Sequence, residues 1–197
     1  MHLCCTWATF CWLILTSVAY AGIPTEQVRA TADRVLEILN DPKFAGGGAK
    51  QEQRELLRAT IYPRFDFDEM SRRSLGPTWR RISKAEQEEF VQLFKQLLEE
   101  SYINNIQGFH GEKIIYGSEL QEQDYARVDT KLIPKEGEPV TITYNLHKVG
   151  EDWKVYDVVI EDISIVNNYR AQFGRLVAKE PFSKVLDRMR ERVAASR

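Results

Sequence analysis

The apolar period of this chain changes near Gly108, and that change fixes the class of fold open to it. Before Gly108 apolar residues recur every three or four positions; after it they alternate. Residues 24–40 place Val28, Ala32, Val35, Leu36 and Leu39 on one helical face, and Asp41, Pro42 and the glycines at 46 to 48 end that helix. A second helix is predicted over 49–62, with Leu56, Leu57 and Ile61, stopping before Pro63. Asp68 reads as the N-cap of a short helix that Gly76 and Pro77 terminate. Ser83 and Glu86 have the spacing of a capping box, in which each side chain satisfies the other's free backbone N–H. The helix they open runs to about Ile106. Its buried stripe is Phe90, Leu93, Phe94, Leu97 and Leu98, with Glu88, Glu89, Lys95, Glu99 and Glu100 outside it.

Residues 113–116, 126–133, 140–149 and 153–160 read as four strands. The turn-forming stretches at 134–139 and 150–152 join neighbours in an antiparallel meander. Strict alternation on the last strand sends Trp153, Val155 and Val159 to one face and Tyr156, Val158 and Ile160 to the other. Both faces are then apolar, and both need cover. A helix follows with Tyr169, Phe173, Leu176 and Val177 on one side, and Pro181 restarts another bearing Phe182, Val185, Leu186, Met189 and Val193. Helices, a meander, then helices make an α+β domain with helices packed on a sheet.

Residues 1–21 contain no Asp, Glu, Lys or Arg, carry an apolar core over 7–15, and end in Ala19-Tyr20-Ala21. This is the pattern of a cleaved secretory signal peptide, too short to span a bilayer, although the usual basic start is missing. A single domain is expected over 22–197. Cys4, Cys5 and Cys11 all lie in the leader, so cleavage removes disulfides, thiol catalysis and thiolate ligands together. The 27 basic and 29 acidic residues are interspersed, a balance of −2 that excludes the basic bias of a nucleic-acid binder.

No constellation of catalytic groups stands out. His110 and His147 are far apart in sequence and no metal site is expected. Gly46 to Gly48 lack the lysine and hydroxyl of a phosphate loop, and no serine elbow occurs. The one enzymatic candidate is Asp157, mid-strand, which a greasy cavity could make a general base in a secreted isomerase- or hydratase-like enzyme. The competing reading has it hydrogen-bonded at the strand-to-helix corner, and with no second acid or histidine beside it that reading is preferred.

The segments resemble those of the MlaC-type family, periplasmic phospholipid-binding components of an ABC transport system, also called toluene-tolerance auxiliary proteins. The most specific stretches are WKVYDVVIE at 153–161 and ISIVNNYR at 163–170 followed by Phe173; FDEMSRRSLG at 67–76 with Trp79 and Arg80 adds to them. Asp162 departs from the family, which has glycine there. If that glycine serves a positive φ, Asp tolerates the conformation better than most residues. The resemblance implies a single helical layer on a curved four-stranded antiparallel sheet of the cystatin/NTF2-like kind, with an apolar lipid pocket between. It implies no catalysis and no cofactor besides the phospholipid cargo. It further implies a monomer in a Gram-negative periplasm, passing lipid between an outer-membrane lipoprotein–porin complex and an inner-membrane ABC transporter complex containing an MCE-domain protein.

A two-chain phospholipid has on the order of 30 methylenes, each worth about 0.8 kcal/mol when removed from water. Such a cargo cannot be released freely into water, so a carrier must shield it and hand it over at a docked partner. The expected lining is Phe94, Leu97, Leu98 and Tyr102 from the long helix and Tyr144, Leu146, Trp153 and Val155 from the sheet, with Tyr169 and Phe173 closing one side. Arg72, Arg73, Arg80 and Arg81 form a basic cluster suited to anionic head groups or an acidic partner, or to plain solvation.

Overall fold

The computed structural model describes residues 22–44, 48–106 and 111–195; the predicted leader and His110 lie outside them. Among the described residues six α-helices pack with one antiparallel sheet: α1 (Ile23–Asn40), α2 (Lys50–Ile61), α3 (Phe67–Leu75), α4 (Lys84–Ile106), α5 (Ile165–Val177) and α6 (Phe182–Ala195). The strands β1 (Lys113–Glu122), β2 (Tyr125–Ile133), β3 (Val140–Val149), β4 (Asp152–Ile160) and β5 (Ile163–Ser164) lie side by side in chain order. The expected four-stranded meander is therefore present, extended by the two-residue β5.

Local chemistry sets the element ends. Ser83 Oγ accepts from the Glu86 N–H at 3.2 Å and the Glu86 carboxylate accepts from the Ser83 N–H at 2.8 Å, closing the predicted capping box. At α3 the cap is Asp66, whose Oδ1 accepts from the Glu69 N–H at 2.9 Å, and not Asp68. The sequence offers two acids two residues apart, and the one preceding Phe67 has the non-helical backbone (φ −100°, ψ 89°) a cap needs. Between β4 and β5, Glu161 (φ 47°) and Asp162 (φ 65°) make a two-residue turn with both φ values positive. Asp162 therefore does occupy the left-handed region, and Glu161 does so beside it.

The two-sided apolar character of β4 has a geometric cause. Leu146 pairs with Val155 but Asn145 pairs with Asp157, so Tyr156 is an extra residue, a β-bulge. The bulge shifts the phase of the strand by one. Trp153 and Val155 before it, and Val158 and Ile160 after it, consequently lie on the same face, opposite Leu146, Tyr144 and Ile142 of β3. Strict alternation misassigned Val158, Val159 and Ile160, because it assumed a regular strand. The outer face is left with Lys154, Asp157 and Val159. The bulge also lets the Val155 carbonyl accept from the Asp66 N–H at 2.9 Å, which ties the α3 entry to the free edge of β4.

The inner face of the sheet, with α1, α3, α4, α5 and α6, builds the main core around Phe90, Phe94, Val128, Leu146, Val155 and Val185. A second, smaller cluster of Ile38, Leu39, Phe44 and Leu57 holds α1 against α2. The α2–α4 contact is ionic. Glu99 is only 6% exposed, contrary to its expected solvent-facing position, and binds Arg54, Arg58 and Tyr62. Burial pushes the Glu99 pKa up, but hydrogen bonds from Arg58, Tyr62 and Arg54 more than offset that and hold it below the usual carboxylate range.

Candidate functional site

The ten residues expected to line a pocket fall into two groups. Leu97, Leu98, Leu146, Trp153 and Val155 are buried. Phe94 and Phe173 are buried too, in an aromatic cluster with Phe90: ring centroids lie 5.8 Å apart for Phe94–Phe173 and 5.0 Å for Phe90–Phe173. These seven are packed against one another, so in this conformation they form the floor of the core.

Tyr102, Tyr144 and Tyr169 are different: each packs against the core yet keeps part of its surface accessible. On the sheet, Tyr116, Ile142 and Ile160 share that character and were not among the expected lining residues. Register brings the sheet members together. Ile142 pairs with both Ile160 and Thr130, Thr130 pairs with Tyr116, and Tyr144 is two residues along on the same face. The available signal was the period-two run of Ile142, Tyr144 and Leu146, but the bulge hid the fact that Ile160 belongs to the same face.

Helix position explains why this half of the face stays open. α1 and α5 lie close on the sheet, whereas α4 makes its nearest backbone approaches to α3 and α6. Tyr169 of α5 sits 5.0 Å from the Phe94 ring, with its hydroxyl 3.4 Å from Ser101 Oγ, and so bridges α5 to α4. The open residues thus flank the junction between the sheet and the C-terminal half of α4.

Electrostatics reflects how enclosed these partly open side chains are. Burial pushes the Tyr144 phenol up to about 12, although part of the residue remains accessible, and among the described residues no hydrogen-bond partner holds its hydroxyl. The ring lies among apolar neighbours of the core on the inner sheet face. Tyr102 is raised by burial and then by the nearby Tyr169. Tyr116 is raised mainly by burial and then by Asp33, to which its hydroxyl donates at 3.1 Å, while Arg29 lies 4.5 Å from its ring centroid. This open stretch of the face is apolar, with phenols and one polar corner at Asp33 and Arg29.

Asp157 takes no part in this open stretch. Its Oδ2 accepts from Ser164 Oγ at 2.7 Å and its Oδ1 from the Val166 N–H at 3.0 Å; Ser164 Oγ in turn accepts from the Asn167 N–H at 3.0 Å. The acid fixes the N-terminus of α5 to β4 and satisfies its free donors. Among the described residues no group of three His, Cys, Asp or Glu side chains is placed to hold a metal ion, and no helix is long and apolar enough to cross a membrane.

Comparison with known proteins agrees with this geometry. The family model described as MlaC protein matches residues 29–191. The intermembrane phospholipid transport system binding protein MlaC of Haemophilus influenzae is 21% identical over 143 residues, covering 70% of this chain and 67% of the relative. The toluene tolerance protein ttg2D of Pseudomonas putida is 24% identical over 156 residues, covering 78% and 73%. Among solved structures, a phospholipid-binding protein from Ralstonia solanacearum in complex with a phospholipid superposes with a TM-score of 0.78 at 26% identity, covering 87% of this chain and 97% of that one. None of these relatives supports an isomerase or hydratase role for Asp157.

Proposed function

The chain belongs to the MlaC family, and from that premise we propose that it is a phospholipid carrier of the periplasm. It takes up acyl chains in the recess between the inner sheet face and α4 and moves the lipid between an outer-membrane lipoprotein–porin complex and an inner-membrane ABC transporter complex with an MCE-domain protein. In this reading residues 1–21 direct export and are removed. The observation that carries the reading is the partly open apolar stretch of the inner sheet face at Tyr116, Ile142, Tyr144 and Ile160, in a chain whose fold matches a protein solved with a phospholipid bound.

Cargo entry then works by separation of layers. Tyr102, Tyr116, Ile142, Tyr144, Ile160 and Tyr169 receive the first methylenes, and the floor of Phe94, Leu97, Leu98, Leu146, Trp153, Val155 and Phe173 parts to admit the rest. Each methylene transferred from water contributes about 0.8 kcal/mol, so even a partly filled recess offsets the disruption of several core contacts. The phenol hydroxyls supply donors for ester or phosphate oxygens near the mouth.

The reading is tested by incubating the mature chain, residues 22–197, with vesicles of fluorescent phosphatidylethanolamine and separating protein from vesicles. Labelled lipid should travel with the protein and exchange into acceptor vesicles. Protein that stays unlabelled after delipidation and prolonged incubation would overturn the reading.

A further inference from the structure

Five arginines converge on a cleft of about 510 Å³ outside the lipid recess, and no acidic residue lines it. Arg72 and Arg73 come from α3, Arg80 and Arg81 from the single-turn stretch Gly76–Arg80 and the residue after it, and Arg170 from α5. Trp79 and Pro77 supply an apolar wall. Gly76 leaves the space that brings Arg170 in: a Cβ there would lie 3.2 Å from Arg170 Nε, and its φ of +55° already favours glycine.

These guanidinium groups are unequally satisfied. Glu69 serves both Arg72, at 2.6 Å, and Arg73, at 2.7 Å, and Arg73 also stacks 4.0 Å over Tyr156. Arg80, Arg81 and Arg170 have no acidic partner among the described residues. With no acidic side chain lining the cleft, this is a local excess of positive charge in a concave place, in a chain with net charge −2.

From this we propose that the cleft is a docking site for an acidic peptide segment of a partner protein, two or more carboxylates flanking an apolar side chain that packs on Trp79. Guanidinium forks match carboxylates in two-point geometry, and all five cations here are arginine. A membrane surface fits less well. None of the exposed large apolar side chains (Ile23, Leu56, Ile115, Leu120, Tyr125, Val149, Ile163) lines the cleft, and a concave notch does not lie flat on a bilayer. The proposal rests on the carrier reading only for the reason a partner must be met.

The test uses the full mature chain and a synthetic nine-residue peptide of Glu and Asp around one central Leu. Nitrogen-15 spectra follow the Trp79 indole N–H and the arginine Nε–H groups during titration. Saturable shifts should appear at Trp79, Arg80, Arg81 and Arg170, weakening steeply with salt. The triple variant Arg80→Gln, Arg81→Gln, Arg170→Gln should bind the peptide at least about tenfold more weakly. A charge-matched control, Arg34→Gln, Arg188→Gln, Arg192→Gln, should bind as the parent does, and circular dichroism checks that both fold. Should the triple variant be misfolded, Arg170→Gln and Arg80→Gln singly should each show part of the loss. Equal loss in the control would overturn the proposal in favour of diffuse charge. So would absent peptide binding alongside cleft-dependent binding to phosphatidylglycerol vesicles. Lipid content is measured on the same samples: protein that binds the peptide but carries no lipid removes the carrier reading and leaves the docking site standing.

Discussion

Replacing Asp157 separates a structural acid from a catalytic one by the size and order of its effects. In Asp157→Ala the two hydrogen bonds from Ser164 Oγ and the Val166 N–H are lost, and the Val166 N–H is left buried and unpaired. Hydrogen bonds to a charged group are worth about 1.5–3 kcal/mol each, and an orphaned buried donor costs about 1–3 kcal/mol. Ser164 faces partial solvent and recovers part of its loss, and the helix N-terminus loses a negative charge worth about 0.5–1 kcal/mol. The net expectation is about 3–4 kcal/mol. Asp157→Asn keeps the shape, can still accept from Val166 and can donate to Ser164, so it should cost only about 1 kcal/mol. Urea unfolding followed by circular dichroism reads both at constant slope. For a domain of this size the alanine variant should also melt about 8–14 °C lower. An alanine variant within 1 kcal/mol of the parent, or an asparagine variant as damaging as alanine, would refute the corner-fixing role.

Glu99→Gln leaves Arg58, and Arg54 apart from its pair with Glu100, facing a neutral group in a largely buried site and should cost about 2 kcal/mol. Because the folded pKa of Glu99 is lowered, its stabilisation is fully present above the unfolded value of about 4.3 and is lost as pH falls through the folded one. Acid unfolding curves should therefore be shallower in the variant. Tyr144 titrates near 12 in the folded chain against about 10 unfolded, so its share of stability is present below pH 10 and lost as pH rises towards 12. Tyr144→Phe should recover about 1 kcal/mol relative to the parent by pH 11, and equal alkaline losses in the two proteins would place the phenol in ordinary solvent. Ile142→Trp and Ile160→Trp fill the open half of the inner sheet face. Each should lower bound phospholipid to less than about half with little change in melting temperature, since the added ring occupies space the core does not use. Unchanged lipid content in both would move the cargo elsewhere.

Much of the architecture was legible because the apolar period is unambiguous. The 3.6-residue stripe of α4, its Ser83 cap, and the restart of α6 after Pro181 follow from local chemistry that tertiary contacts do not override. β3 was read with its full extent, bounded by Pro139 and Gly150. Misreadings arose where a single residue breaks a regular pattern. Tyr156 shifts the phase of β4, so the spacing Trp153, Val155, Val158, Ile160 is two period-two runs out of step. That spacing was itself the signature of a bulge. Glu99 looked like one more surface acid among several. Only the arrival of Arg54 and Arg58 from α2, more than forty positions away, makes its burial tolerable. The site followed the same rule. Side-chain type predicted which residues are apolar and near one another, but not which stay open. Openness depends on how far α4 stands from the sheet, and no local pattern encodes that distance.

The central claim is that this chain carries phospholipid. It is tested most directly by organic extraction and mass spectrometry of the mature protein purified from a Gram-negative periplasm without added lipid. The account predicts phospholipid at close to stoichiometric amounts, reduced in Ile142→Trp and Ile160→Trp and retained in Asp157→Asn. Protein that is folded, free of phospholipid and unable to take it up from vesicles would contradict it.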